Sequence, residues 1–128
     1  MKYADSYEWD ETFSKTNATA TQYSGWFEVD FANELISDGE FIMGTRDGAA
    51  TLIVTIERYV PYSANATVLT AHATVQADAT TQNEKTGSAV GAGTTVIGTR
   101  VRYVFTLGGS WAGNVTCSVA LKLYAKRN

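Results

Sequence analysis

An all-β fold, an antiparallel β-sandwich or jelly roll of about seven or eight strands, is what this sequence predicts, and three observations carry it. Over residues 52–124 apolar and polar residues alternate in long runs rich in Val, Ile, Thr and Tyr, the period of a half-buried strand. Gly-rich or Asn-containing segments interrupt these runs at the spacing of turns. The chain holds a single Pro, and no helical periodicity extends beyond two turns. Its 128 residues suit one domain.

Taken in order, residues 1–21 read as an N-terminal arm and spacer, and residues 22–128 as the sandwich domain. In the arm, Tyr3, Tyr7, Trp9 and Phe13 are separated by acids and followed by a Ser/Thr/Asn/Ala tract. Four aromatic rings do not favour open water, so the arm either folds back on its own domain or lies across a neighbour. Residues 22–31 form the first strand, with Tyr23, Phe27, Val29 and Phe31 inward and Trp26, Glu28 and Asp30 outward. Residues 32–48 read as a loop-rich meander with turns at Ser37-Asp38-Gly39 and Arg46-Asp47-Gly48, because Asp-Gly between apolar runs is a hairpin signal.

Residues 50–60 make a long strand with Leu52, Val54 and Ile56 on one face and Ile53, Thr55, Glu57 and Tyr59 on the other; Pro61 stops it. Residues 66–79 alternate again, with Leu69, Ala71, Ala73, Val75 and Ala77 inward and His72 among the outward polar residues. Residues 80–95 read as a polar, glycine-rich connection. Residues 96–107 are the strongest strand, with Ile97, Val101, Tyr103 and Phe105 in the body and Arg100 and Arg102 together on the opposite face. A turn over 108–114 leads into 115–124, with Val115, Cys117, Val119, Leu121 and Leu123 inward.

The core is thin: Leu, Ile, Val and Phe make up 27 of 128 residues. Burial stabilises by about 25 cal/mol per Å², whereas ordering the backbone costs on the order of 1 to 2 kcal/mol per residue, so a thin core favours further burial against a partner. Net charge is −3, which gives no bulk attraction to nucleic acid or to a membrane surface. Residues 1–64 sum to −7 and residues 65–128 to +4, an asymmetry that suits head-to-tail pairing of identical subunits or neutralisation within one molecule. The lone Cys117 reads as a small buried hydrophobe. No basic-then-apolar leader and no apolar run near membrane-spanning length is present, so neither secretion nor a membrane span is expected.

Chemistry-bearing patterns are scarce, and no enzymatic activity, metal or cofactor is expected. A nucleophilic triad needs a base beside its nucleophile, and the only His is His72, read as a surface residue. Zinc sites need three or four His, Cys or carboxylate ligands. Asp38, Glu40 and Asp47 could meet around Ca²⁺, but they lack the dense Asp/Asn/Gly spacing of a calcium loop. Glu28 and Asp30 share one strand face, so they are no across-cleft glycosidase pair. Trp26 and Trp111 are candidates for stacking on sugar rings, which keeps a carbohydrate-binding module or receptor-binding fibre domain as the alternative function. Arg100 and Arg102, with Lys122 near, form a basic stripe suited to acidic groups of another subunit.

With the aromatic arm, the Thr/Ala/Gly-rich strands, the scarcity of Cys and His and the missing leader taken together, the chain resembles the small all-β accessory virion proteins of tailed bacteriophages, the capsid decoration or cement type. The resemblance is one of style over the whole chain and rests on no family motif. It implies a non-enzymatic assembly protein of the virion, assembled in the host cytoplasm, that is trimeric or otherwise clustered and bridges subunits of a major capsid protein. On that reading Tyr3, Tyr7, Trp9 and Phe13 anchor the arm on a neighbour, and Arg100 and Arg102 orient the contact.

Overall fold

The computed structural model describes residues 4–14, 21–43, 50–59, 67–76, 83–90, 97–109, 111 and 115–127; over 83–90, and over 67–76 apart from His72, only the course of the backbone is described. Every regular element among them is a strand: β1 (Ala4–Ser14), β2 (Gln22–Tyr23), β3 (Phe27–Glu28), β4 (Glu34–Met43), β5 (Thr51–Arg58), β6 (Thr67–Gln76), β7 (Asn83–Val90), β8 (Arg100–Gly108) and β9 (Thr116–Lys126). They form a four-stranded sheet in the order β1-β9-β4-β7 and a five-stranded sheet in which β2-β8-β5-β6 run side by side and β3 also pairs with β8.

The order has a simple origin. With β2 and β3 taken as one interrupted strand, the antiparallel partners nest: β1 with β9, β2 and β3 with β8, β4 with β7, and β5 with β6. One long antiparallel ribbon has been wound on itself so that β9 meets β4 and β8 meets β5. This is the jelly-roll winding, and the sandwich expected from sequence is present.

The strongest alternations settle as read. Leu52, Val54 and Ile56 of β5, Val101, Tyr103 and Phe105 of β8, and Cys117, Val119, Leu121 and Leu123 of β9 are buried between the sheets. Gly109, with φ near 68°, ends β8 in the left-handed region that glycine enters without steric cost.

Residues 4–14 differ from the expected arm. They form a full edge strand paired with β9 from Ala4 opposite Lys126 to Ser14 opposite Thr116. Phe13 is wholly buried, its ring 5.0 Å from that of Phe105 on the facing sheet, and Tyr7 and Trp9 pack against the core from the same strand face. Glu8, Asp10 and Thr12 alternate with them and face solvent. The acids that made the segment look like an arm are the outward half of an amphipathic strand, and charge on an edge discourages pairing with other chains. Of the two destinations open to the arm, these residues take their own domain. Tyr3 and residues 15–20 lie outside the described residues.

The Ser37-Asp38-Gly39 turn is also corrected: β4 runs straight through it, paired on both sides. Gly39 is there for close approach. A Cβ on it would lie 2.8 Å from Leu121 Cδ2, 2.8 Å from Phe41 Cε2 and 3.0 Å from His72 Nε2. The second expected turn, around Arg46-Asp47-Gly48, lies outside the described residues. The connection expected over 80–95 contains β7, an edge strand whose polar, charged sequence is held by the backbone ladder to β4.

Two bulges explain two reversed side chains. Four residues lead from Tyr23 to Phe27 but only three between their partners Val104 and Val101, so the segment at Ser24-Gly25-Trp26 carries one extra residue. Tyr23 is consequently turned outward, 49% exposed, while Ser24 is buried and its hydroxyl accepts the Tyr103 N–H at 2.9 Å. On β6, Val54 faces Ala73 and Thr55 faces Ala71, which leaves His72 as the added residue. His72 therefore sits inside, 7% exposed, against the expectation of a surface position.

Two predictions follow from this packing. Deleting residues 1–14 should abolish cooperative urea unfolding rather than leave a folded domain, and Phe13→Ala should cost about 3 to 5 kcal/mol of stability; a truncated protein with an unchanged transition would contradict the edge-strand assignment. Gly39→Ala should lower stability by about 1 to 3 kcal/mol through overpacking, whereas Gly25→Ala, whose Cβ meets nothing within 4 Å, should stay within about 0.5 kcal/mol in the same assay.

Candidate functional site

The single thiol and the single imidazole of the chain are folded away, as is the phenol of Tyr103. Cys117 is fully buried, and burial pushes its thiol up to about 12, so the thiolate nucleophile is not populated near neutrality. Tyr103 is likewise raised to about 12 by burial, with the hydrogen bond to Ser37 acting the other way. His72 lies in the core. No group of three or more His, Cys, Asp or Glu suited to a metal ion occurs among the described residues. Asp38 and Glu40 stand on β4 and not in loops; Asp47 is outside the described residues. No helix among the described residues is long and apolar enough to cross a membrane.

Of the residues expected to anchor an arm on a neighbour, the described ones, Tyr7, Trp9 and Phe13, make contacts within the domain. Phe13 is core. Tyr7 stacks on Phe27 with ring centroids 5.0 Å apart and donates its hydroxyl proton to the Glu28 carbonyl, and Trp9 Nε1 donates to Glu11 Oε2 at 3.3 Å. Of the two tryptophans proposed to stack on sugars, Trp111 is 8% exposed and donates Nε1–H to the Thr51 carbonyl at 3.2 Å, plugging one end of the sandwich. It offers no ring face to a ligand.

Arg100 and Arg102 do share a face, as their spacing on β8 requires, and the structure surrounds them with aromatic rings. The Arg102 guanidinium carbon lies 4.0 Å from the Tyr23 ring centroid and 4.3 Å from that of Trp26, and Arg102 Nε donates to Glu57 Oε1 at 2.6 Å. Arg100 lies 4.2 Å from the Tyr59 centroid and 5.8 Å from Trp26, and it forms no ion pair among the described residues. Trp26 and Tyr59 meet edge to face at 5.8 Å. The outer face of the five-stranded sheet thus carries a half-buried lattice of Trp26, Tyr23, Tyr59 and two arginines. Cation–π contacts hold long side chains in place, so less freedom is lost when a partner binds. Tyr23 and Tyr59 were not singled out from sequence; the Ser24-Gly25 step, where a bulge could reverse the alternation, is the signal that bears on Tyr23.

Trp26 differs from a sugar platform in one respect, because Arg102 already occupies part of its surroundings. The arrangement fits instead the residue types that dominate protein interfaces, with Arg100 and the exposed half of Tyr23 as the accessible groups.

The opposite outer face, on the four-stranded sheet, is acidic. A shallow hollow of about 600 Å³ is lined by Glu8, Asp10, Asp38 and Glu40 with Lys122 and Tyr124, over a floor at Ala120. Lys122 offsets one charge through an ion pair to Glu8 at 3.7 Å. Ile42 and Tyr124 add exposed apolar surface, at 44% and 39%. The basic stripe expected to combine Arg100 and Arg102 with Lys122 does not form, because Lys122 stands on this other sheet.

No family model matches the chain, and no curated protein sequence matches it. Among solved structures, the fold is similar to VP2 of the infectious bursal disease virus subviral particle, with a TM-score of 0.57 and 12% identity over 96% of this chain and 33% of that one. It is similar also to a chain in the structure of the Gx strain of that virus (TM-score 0.53, 18% identity, 98% of this chain and 31% of that one). A chain of the Gt strain compares in the same way (TM-score 0.52, 14% identity, 97% and 32%). This chain spans about a third of the length of those chains. At such identities the shared property is the β-sandwich fold.

Proposed function

We propose that this protein is a structural component of a virus particle, working through surface contacts and not through catalysis. The observation that carries the reading is the likeness of its whole fold to VP2 of a viral particle. Burial of His72 and Cys117 agrees with a role that needs no reactive group.

The contact surface we assign is the outer face of the five-stranded sheet, where Arg100 and Tyr23 project from the aromatic lattice around Trp26. Its partner is an acidic, partly apolar protein surface of another virion subunit or of a second copy of this chain. The hollow bounded by Glu8, Asp10, Asp38 and Glu40 is one surface of that chemistry, so copies stacked back to front would satisfy both faces. Such a contact is heterologous and builds rings or shells according to its rotation. The finer role of decorating and bridging the subunits of a bacteriophage shell is supported by the resemblance in sequence style.

The test is sedimentation and light scattering of the purified chain, alone and mixed with particles from its source. The wild type should self-associate or co-sediment with particles. Arg100→Glu should weaken that association by at least about tenfold while leaving the thermal transition in place, since truncating or reversing an interface Arg commonly costs more than 1 kcal/mol. A protein that stays monomeric and never accompanies particles would refute the reading. A monomer that is retained on glycans through Trp26 would replace it with the carbohydrate-binding alternative.

A further inference from the structure

His72 is the only histidine in the chain, and the proposed function makes no use of it. Its ring fills the seam between the sheets, 5.9 Å from the Phe41 ring on β4 and 6.1 Å from the Tyr103 ring on β8. Among the described residues neither Nδ1 nor Nε2 has a hydrogen-bond partner, although both are fully shielded from solvent. Nε2 faces the backbone at Gly39, where there is no side chain to receive its proton. A buried imidazole without a partner already lacks compensation for its lost hydration, and adding a proton would bury a charge as well.

Among the described side chains, the charged and titratable groups of the packed elements offer that charge little. On β4, Asp38 is the nearest carboxylate, and it belongs to the outward, exposed face together with Glu40. On β8, the Tyr103 hydroxyl is engaged with Ser37, and Arg102 is outward and paired with Glu57 of β5. On β9, Cys117 is a neutral thiol, and Lys122 is outward beside Glu8. Burial accordingly pushes the His72 pKa below its ordinary 6.5, while its own backbone and the field of Asp38 act weakly the other way.

The strand that carries His72 is the one best placed to yield. β6 is paired with β5 along one side only of the five-stranded sheet, and its ladder shifts register twice, between Val54 and Thr55 and between Ile56 and Glu57. We propose that His72 makes closure of the sandwich acid-sensitive: the neutral ring wedges the seam shut, and protonation expels it by detaching β6 from the facing sheet. Acid-sensitivity of the isolated domain stands on this geometry; its consequence, that a particle containing the protein loosens on acidification, rests on the reading of function given above.

The sign is fixed by linkage. The unfolded or opened chain takes up its proton near pH 6.5, whereas the closed chain resists it, so stability is full above that value and falls as the pH drops below it. At about one pH unit below the unfolded value the folding equilibrium should lose up to about tenfold through this one group. Urea unfolding of the full chain at about pH 7.5 and about pH 5.5 should therefore show a larger acid penalty for the wild type than for His72→Leu, by up to about tenfold in the equilibrium constant. Carboxylates titrate alike in both proteins and cancel in the comparison.

Because the chain has one histidine, proton NMR of the wild type supplies a second measurement that needs no variant. The His72 ring signals should begin to shift only at a pH below that at which a free imidazole titrates, and amide exchange across β6 should accelerate first on acidification. Ordinary titration near 6.5 within the folded state, or equal acid penalties for wild type and His72→Leu, would overturn the proposal. Neither measurement involves a particle, so a failed assembly assay and a failed acid response remain distinct results.

Discussion

The sandwich depends on one seam in which large side chains of one sheet meet small residues of the other. Tyr103 and His72 reach across from the five-stranded sheet, and β4 answers them with Ser37 and Gly39. Facing sheets pack about 10 Å apart, so two bulky rings can occupy that gap only where the opposite strand gives up volume. Ser37 adds a hydroxyl that satisfies the Tyr103 phenol, and leaving such a group unpaired would cost about 1 to 3 kcal/mol. Size and polarity are thus matched at the same two positions of β4, and the strand has to run through them unbroken.

Around that seam aliphatic side chains of both sheets fill the core together with several aromatic rings. Phe13, Phe41, Phe105 and Tyr103 are among the largest fully buried side chains, and Trp111 closes one end. The shortage of Leu, Ile and Val that suggested an incomplete domain is met in part by β1, which brings Tyr7, Trp9 and Phe13 to the inner face. An edge strand that supplies core rings is an integral part of the domain.

What could be read from sequence was periodicity, and where a strand keeps its period the reading holds. The inward series of β5, β8 and β9 and the shared face of Arg100 and Arg102 follow from a strict alternation of two. The misreadings have distinct physical causes. In β1 the outward half of the alternation is acidic and the inward half has an acid too, Glu11, which disguised Tyr7, Trp9 and Phe13 as an arm. At Ser37-Asp38-Gly39 the local chemistry of a turn was outweighed by a close approach from residues far along the chain. For β7 the ladder to β4 supplies the stabilisation that its side chains do not advertise. His72 and Tyr23 reversed because a bulge changes parity by one, and a bulge is specified jointly by two strands. The Arg–aromatic lattice was half legible: one strand placed the cations, but Tyr23, Trp26 and Tyr59 come from segments whose convergence only the winding determines.

The winding also decides what becomes of the charge asymmetry along the chain. Seven of the eleven acids of the first half, Asp5, Glu8, Asp10 and Glu11 on β1 and Glu34, Asp38 and Glu40 on β4, belong to one sheet, in which β9 separates the two strands. Lys122 and Lys126 of β9 sit between them and pair with Glu8 at 3.7 Å and Glu34 at 3.6 Å, so part of the asymmetry is cancelled within the molecule. Arg102 is cancelled separately by Glu57 on the other sheet. Among the described residues, Asp10 and Asp38 stand on one outer face, whereas on the other Arg100 stands amid aromatic rings with Glu28 opposite it on β3. Surface ion pairs contribute little to stability, typically about 0 to 1 kcal/mol, so this residue of charge has little value to the fold. The imidazole of His72 and the thiol of Cys117 lie inside the sandwich, and the charges that the winding leaves over lie on its outer faces.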